Sequence, residues 1–291
     1  MTVACAEQTI SLNGDKIHIY TWTWTKPTPP SRIVVLIHGI MMHGKSFHTL
    51  AQKLAKHGAV VVAPDLRGFG RWYFSEDGER SKTSFSKSQE DLSRLFRLLE
   101  DQHPGLPLFC IGESLGAHFA RRATALHPEL VSGLILSSPC MRPRLVSLPL
   151  IPYTWSQLVI AGINPSHEVN LSPFARQFLK DEPANLETYL NDPLSRKSLE
   201  VLELIDSLRI ADARGLGAIP KDMPVLVLRG KKDCVCKVSS MKKFIDSLRS
   251  DNLTVHRCAG SGHIILQAPE LNSNVFNVLE GWMERVGQTS G

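Results

Sequence analysis

Six short apolar runs, separated by helix-like stretches, constrain this chain more than any other feature. They are Ile33 to Ile37, Ala59 to Ala63, Leu106 to Ile111, Val131 to Leu136, Val225 to Leu228 and Leu253 to Val255. Most are continuous and rich in β-branched residues, the pattern of strands buried on both faces of a parallel sheet. Helical stretches lie between them at Phe47 to His57, Ser88 to Asp101, Ser114 to His127 and Ser239 to Arg249, and a last one spans Leu271 to Val286. Strands joined by crossover helices produce this rhythm, so the predicted class is α/β. Ahead of it, Thr9 to Thr25 alternates apolar and polar residues around Leu12-Asn13-Gly14-Asp15. That pattern predicts an antiparallel hairpin at a sheet edge, ended by the Pro-rich Lys26 to Pro30.

The rhythm breaks once. Between Pro139 and Pro224 no good strand is legible, and Pro-interrupted helical pieces take its place. The expected organisation is a core in two parts, 1–138 and 223–291, with a helical cap inserted at 139–222. The cap's first part, Leu145 to Ile163, is strongly apolar and approaches membrane-span length. Pro149, Pro152 and its place inside a soluble pattern argue against a span. It reads as cap packing, as an apolar wall for an acyl chain, or as a surface that touches lipid transiently.

Open parallel sheets bind ligands beyond the carboxyl ends of their strands, so the chemistry is sought in the loops just past those ends. After Ile111 comes Gly112-Glu113-Ser114-Leu115-Gly116, then a helix. Gly-x-Ser-x-Gly between strand and helix is a tight turn that presents one hydroxyl, because glycines let the two elements approach closely. The pentapeptide alone is a weak signal; its flanks strengthen it. A serine hydroxyl needs a base, and histidine is the natural one near neutral pH. Of 11 histidines, His57, His103 and His127 end helices, and His118 sits one turn past Ser114, where packing is the ordinary role. His263 follows the last strand in a loop of small residues on the expected ligand edge. Asp233 follows the penultimate strand and offers the acceptor for the other imidazole nitrogen. As a turn former or helix cap it would be unremarked. Asp65, the main rival, reads better within Asp65-Leu66-Arg67-Gly68 as a structural turn braced by an ion pair. The backbone N–H groups of Leu115 and Ile40 are the expected oxyanion donors. His38 is expected to hold the Ile40 loop by a hydrogen bond and not to act as a second base.

Composition excludes other classes. The chain has 291 residues, 43% of them hydrophobic, and a formal charge of +5. Its Lys and Arg residues are spread out, so nucleic-acid binding is not expected. Met1 to Gly14 has neither a basic start nor an apolar core of signal-peptide length. The six cysteines are scattered at 5, 110, 140, 234, 236 and 258, which predicts free thiols in a reducing, cytoplasmic setting. Cys234 and Cys236 lack a second Cys or His cluster at zinc spacing, so no metal site is expected; serine chemistry of this kind is expected to need no organic cofactor either.

His38-Gly39-Ile40, Asp65 to Gly70, Gly112 to Gly116, Asp233 and Gly262-His263 together resemble the serine α/β-hydrolases of the monoacylglycerol lipase, lysophospholipase and serine aminopeptidase grouping. The resemblance spans nearly the whole chain and is loosest in the cap. It implies an α/β-hydrolase fold, with a mostly parallel twisted sheet of about eight strands flanked by helices and a helical cap. It also implies a catalytic Ser114, Asp233 and His263, and cleavage of small esters with an apolar acyl group. Two positions depart from the family: Met41-Met42 stands where small residues are common, and Glu113 stands where many lipases carry His. Relatives that dehalogenate or open epoxides use an aspartate nucleophile, which Ser114 argues against. Thioesters, amides or C–C bonds are alternative targets of the same machinery, and a ligand receptor with little turnover is a third reading.

Overall fold

The computed structural model describes residues 2–12, 14–25, 28–74, 80–139, 151–164, 166–210 and 217–289. The expected edge hairpin is formed by β1 (Val3–Leu12) and β2 (Asp15–Trp24), paired antiparallel. Gly14 turns between them with φ +86, while Asn13, like Lys26 and Pro27 after the hairpin, lies outside the described residues. β2 runs antiparallel to β4 (Ala59–Pro64). From there the sheet is parallel through β3 (Arg32–Ile37), β5 (Leu108–Glu113), β6 (Gly133–Ser137), β9 (Val225–Gly230) and β10 (Leu253–Cys258). The eight strands stand in the order β1-β2-β4-β3-β5-β6-β9-β10.

The continuous runs are buried on both faces because helices cover both. Ile33, Val35 and Ile37 pack with Leu95 and Phe96 of α2 (Phe85–Gln102), Phe119 and Ala123 of α3 (Leu115–Leu126) and Phe244 of α8 (Val238–Asp246). Val34 and Leu36 face the other way, toward Leu50 and Leu54 of α1 (His48–Lys56) and Leu279 and Met283 of α9 (Ser273–Thr289). Residues alternate faces along a strand, so one six-residue run feeds two cores. β10 differs: it is an edge strand, half exposed, and only its last residue, Cys258, is buried. His57, His103 and His127 take the C-cap positions of α1, α2 and α3.

Between β6 and β9 the described elements are α4 (Ile151–Ile163), β7 (Glu168–Asn170), α5 (Ser172–Phe178), α6 (Pro183–Asn191), β8 (Ser198–Glu200) and α7 (Val201–Ile210). Residues 140–150, including Pro149 and the start of the apolar stretch, lie outside the described residues. The sequence suggests no strand here, yet β7 and β8 form an antiparallel pair with Val169 opposite Leu199. Each is three residues long with a single buried side chain, too short for alternation to register. The segment is tied to the core by Arg196. Its guanidinium donates to both Glu203 carboxylate oxygens at 2.8 and 2.5 Å and to the Gly68 carbonyl at 3.1 Å. It also lies 4.0 Å from the Tyr73 ring centre. Breaking a buried pair of this kind leaves an uncompensated charge, a loss of about 3–5 kcal/mol. No helix among the described residues is long and apolar enough to cross a membrane.

Candidate active site

The carboxyl ends of β3, β5, β9 and β10 meet on one rim and bring Ile40, Ser114, Asp233 and His263 together. Ser114 sits between β5 and α3 with φ +54 and ψ −116, a left-handed geometry that costs a non-glycine residue roughly 1–3 kcal/mol. The two glycines make this bend possible. A Cβ on Gly112 would collide with the Gly116 carbonyl, and one on Gly116 with the Ile37 carbonyl. No other residue fits at either place.

Ser114 Oγ lies 2.9 Å from His263 Nε2, and His263 Nδ1 lies 3.1 Å from Asp233 Oδ2. The carboxylate can only accept, so these partners assign the ring proton to Nδ1 and leave the Nε2 lone pair facing the serine hydroxyl. Asp233 Oδ1 accepts the N–H groups of Val235 (2.8 Å) and Cys236 (3.1 Å). Burial works against the Asp233 charge, but His263 and these two donors outweigh it and hold the carboxyl below its ordinary range. An ionised, oriented acceptor behind the imidazole lets the imidazole take a proton from the hydroxyl. Cys236 Sγ stands 3.9 Å from His263 Nδ1, and ligand atoms of Asp233, Cys236 and His263 lie within 4.8 Å of one another. Both Asp233 oxygens are already engaged by N–H donors or the imidazole, so this group fits a hydrogen-bonded cluster better than a cation site.

Leu115 opens α3, so its N–H belongs to the first turn and has no acceptor within the helix. The Ile40 loop passes directly alongside: a Cβ on Gly39 would lie 3.4 Å from Ser114 Cβ. His38 holds that loop. Its Nε2 accepts the Leu66 N–H at 2.9 Å, leaving Nδ1 to donate to the Gly39 carbonyl at 2.8 Å. Complete burial pushes its pKa down to about 3, so it is a neutral strut. His118 is fully buried and meets the Phe244 ring edge-on at 5.3 Å.

Asp65 does form a structural turn, but the brace differs from the expected ion pair. Arg67 reaches Asp91 instead, at 2.6 and 2.9 Å. Asp65 accepts the N–H groups of Gly44 (2.7 Å) and Arg71 (2.8 Å), and burial pushes its pKa up to about 6. Two backbone donors satisfy this carboxyl without a cation.

Residues the sequence did not single out complete the surroundings. Glu182, at the start of α6, accepts the His263 backbone N–H at 3.0 Å and fills the space a Cβ on Gly262 would need. Burial pushes its pKa up. Asp192 takes His43 Nε2 at 2.7 Å, and Arg196 N–H donates to the Met41 carbonyl at 3.0 Å. The segment between β6 and β9 therefore touches both the His263 loop and the Ile40 loop. Sequence spacing carries no sign of these contacts, since each joins positions far apart in the chain.

Over Ser114 lies a cavity of about 380 Å³, within the range of small-ligand sites. Its walls are mostly apolar and include Met41, Met42, Leu171, Phe174, Phe178, Leu204 and Leu208. Met41 and Met42 thus line the chamber, as their flexible apolar side chains suggest.

Comparison with known proteins agrees with this architecture. The family model described as serine aminopeptidase, S33, matches residues 28–270. Monoglyceride lipase of Homo sapiens is 26% identical over 285 residues, covering 96% of this chain and 91% of the human protein. Monoacylglycerol lipase of Mycolicibacterium smegmatis is 27% identical over 258 residues, covering 85% and 86% respectively. A soluble variant of monoglyceride lipase from Saccharomyces cerevisiae, solved with a substrate analog, shares the fold. Its TM-score is 0.77 at 21% identity, with 97% of this chain and 94% of that one covered. With a family match over most of its length and an eight-stranded, mostly parallel sheet between helical layers, the chain belongs to the serine aminopeptidase S33 family of α/β-hydrolases.

Proposed function

We propose that this protein hydrolyses carboxylic esters of apolar acyl groups, monoacylglycerols among them, through an acyl-enzyme on Ser114. The observation that carries the reading is the 2.9 Å contact between Ser114 Oγ and His263 Nε2 on the floor of an apolar chamber. Ser114 Oγ attacks the ester carbonyl carbon while its proton passes to His263 Nε2. The carbonyl oxygen takes up the negative charge and is held by the N–H groups of Ile40 and Leu115. Asp233 stabilises the transient imidazolium. Collapse of the tetrahedral adduct expels the alcohol, which receives the proton from Nε2. Water, deprotonated by the same nitrogen, then releases the acid and restores Ser114. Residues 139–222 act as a cap in this scheme, roofing the acyl chain with α5 and α7.

A substrate panel tests the assignment. Monoacylglycerols and p-nitrophenyl esters of rising chain length are expected to be turned over faster than acyl thioesters and aminoacyl amides of matched acyl size. Faster cleavage of the thioesters or amides would contradict the ester reading while leaving the triad in place.

The cap's outer face supports transient lipid contact. Trp155, Val159 and Ile163, spaced along one face of α4, are 65, 60 and 83% exposed, and Leu202 of α7 is exposed as well. Co-sedimentation with phosphatidylcholine vesicles is expected and should weaken in Trp155→Ser. Equal recovery of both proteins in the supernatant would sink this role. Five cysteines among the described residues stand as thiols outside any disulfide. They support a reducing, cytoplasmic setting, which a disulfide in the native protein would contradict.

A further inference from the structure

The residue just before Ser114 has a role that neither the triad nor the chamber explains. Glu113 is 1% exposed, and a buried carboxylate is unfavourable unless its oxygens are well satisfied. Here they are. Oε1 accepts the Ser137 hydroxyl at 2.7 Å and the N–H groups of Ile265 (2.9 Å) and Leu266 (2.8 Å). Oε2 accepts the Gln267 N–H at 2.9 Å. These three consecutive peptides begin two residues after His263. Gln267 extends the chain of contacts, because its side-chain Oε1 accepts the Gly39 N–H at 3.0 Å, one residue before Ile40. A single carboxylate, covalently next to Ser114, thus holds the His263 loop directly and the Ile40 loop through Gln267.

We infer that Glu113 is a positioning residue that sets the placement of His263 and Ile40 relative to Ser114. The inference rests on the ester-hydrolase reading of the site. Glu113 does not act as acid or base, since its oxygens are committed to hydroxyl and amide donors. Both oxygens face donors here, an arrangement a carboxylate matches and a side-chain amide does not. A neutral residue of the same shape would fill the space and lose the acceptor that Oε2 offers the Gln267 N–H.

Glu113→Gln makes that difference testable. The amide oxygen can replace Oε1 for Ser137, Ile265 and Leu266. Its NH2 group then faces the Gln267 N–H, two donors meeting where a donor met an acceptor. The Gln267 peptide and, with it, Gly39 lose their anchor. Displacements of about 1 Å at a reacting centre lower rates on the order of 100-fold. The expected result is a kcat, per active site titrated with a fluorophosphonate, reduced about 10- to 100-fold with KM changed less than about threefold. Ser137→Ala, which removes a donor from the same oxygen but frees neither loop, should keep nearly wild-type kcat. A merely structural role would instead lower the melting temperature and the titratable fraction while kcat per site stayed at the wild-type value, and that result would overturn the inference. If Glu113→Gln does not fold, Gln267→Leu carries the test, since it strips the acceptor from Gly39 alone. The expected loss of kcat at constant KM supports the brace, and unchanged kcat overturns it. A wild type inert to both ester and probe would contradict the hydrolase reading itself, and this inference with it.

Discussion

Ser114→Ala is expected to lower kcat by a factor on the order of 10⁶, the loss seen when the nucleophile of a serine triad is removed. The reason is geometric. Ser114 Oγ is the atom placed 2.9 Å from His263 Nε2, and the elbow holds it there by backbone strain and by the absence of any Cβ on Gly112 and Gly116. Alanine leaves the bend, the chamber and both proposed oxyanion donors intact, so substrate binding and thermal stability should stay close to wild type. A residual acceleration of about 10³–10⁴ over the uncatalysed reaction is expected from the oxyanion donors and binding alone. Steady-state kinetics with one ester, beside a melting curve, separates loss of chemistry from loss of fold. A variant retaining more than a few per cent of wild-type kcat would remove Ser114 from the reaction.

Asp233→Asn is the second large effect, with an expected fall in kcat of about 10⁴ and little change in KM. Oδ1 holds the N–H groups of Val235 and Cys236, which fixes how an asparagine would sit. Its oxygen must take that position, and its NH2 group must then point at His263 Nδ1. Facing a donor, Nδ1 becomes the acceptor and the ring proton moves to Nε2. That tautomer cannot receive the Ser114 proton. The amide is isosteric, so the loss comes from the wrong tautomer and not from a collapsed site. A decrease of less than tenfold would mean that Asp233 does not orient the imidazole.

Both results depend on residues whose placement was legible because the sheet reports it. β3, β4, β5 and β9 are continuous apolar runs, and the proposed site residues follow strand ends: Ile40 after β3, Ser114 after β5, Asp233 after β9 and His263 after the edge strand β10. Chain order and strand ends suffice to nominate these side chains, since parallel strands deliver their carboxyl ends to one rim. What the sequence conceals is paired over long separations. Glu113 is visible as an odd residue at the elbow, but its partners at 265–267 are known only once β5 and the final loop adjoin. Arg196 and Glu203 look like surface charges until the fold buries them against Gly68 and Tyr73. Arg67 has two acidic neighbours in prospect, and only packing decides for Asp91 over Asp65. β7 and β8 are too short for periodicity, so tertiary contact alone makes them strands.

The most direct test of the central claim is covalent. A fluorophosphonate reacts only with a hydroxyl whose proton is being removed, so it reads the Ser114–His263–Asp233 relationship without assuming a substrate. Digestion and mass spectrometry of the labelled protein should place one adduct on Ser114, absent in Ser114→Ala and much slowed in Asp233→Asn. An adduct on another residue, or an active esterase that takes up no label at Ser114, would contradict the account.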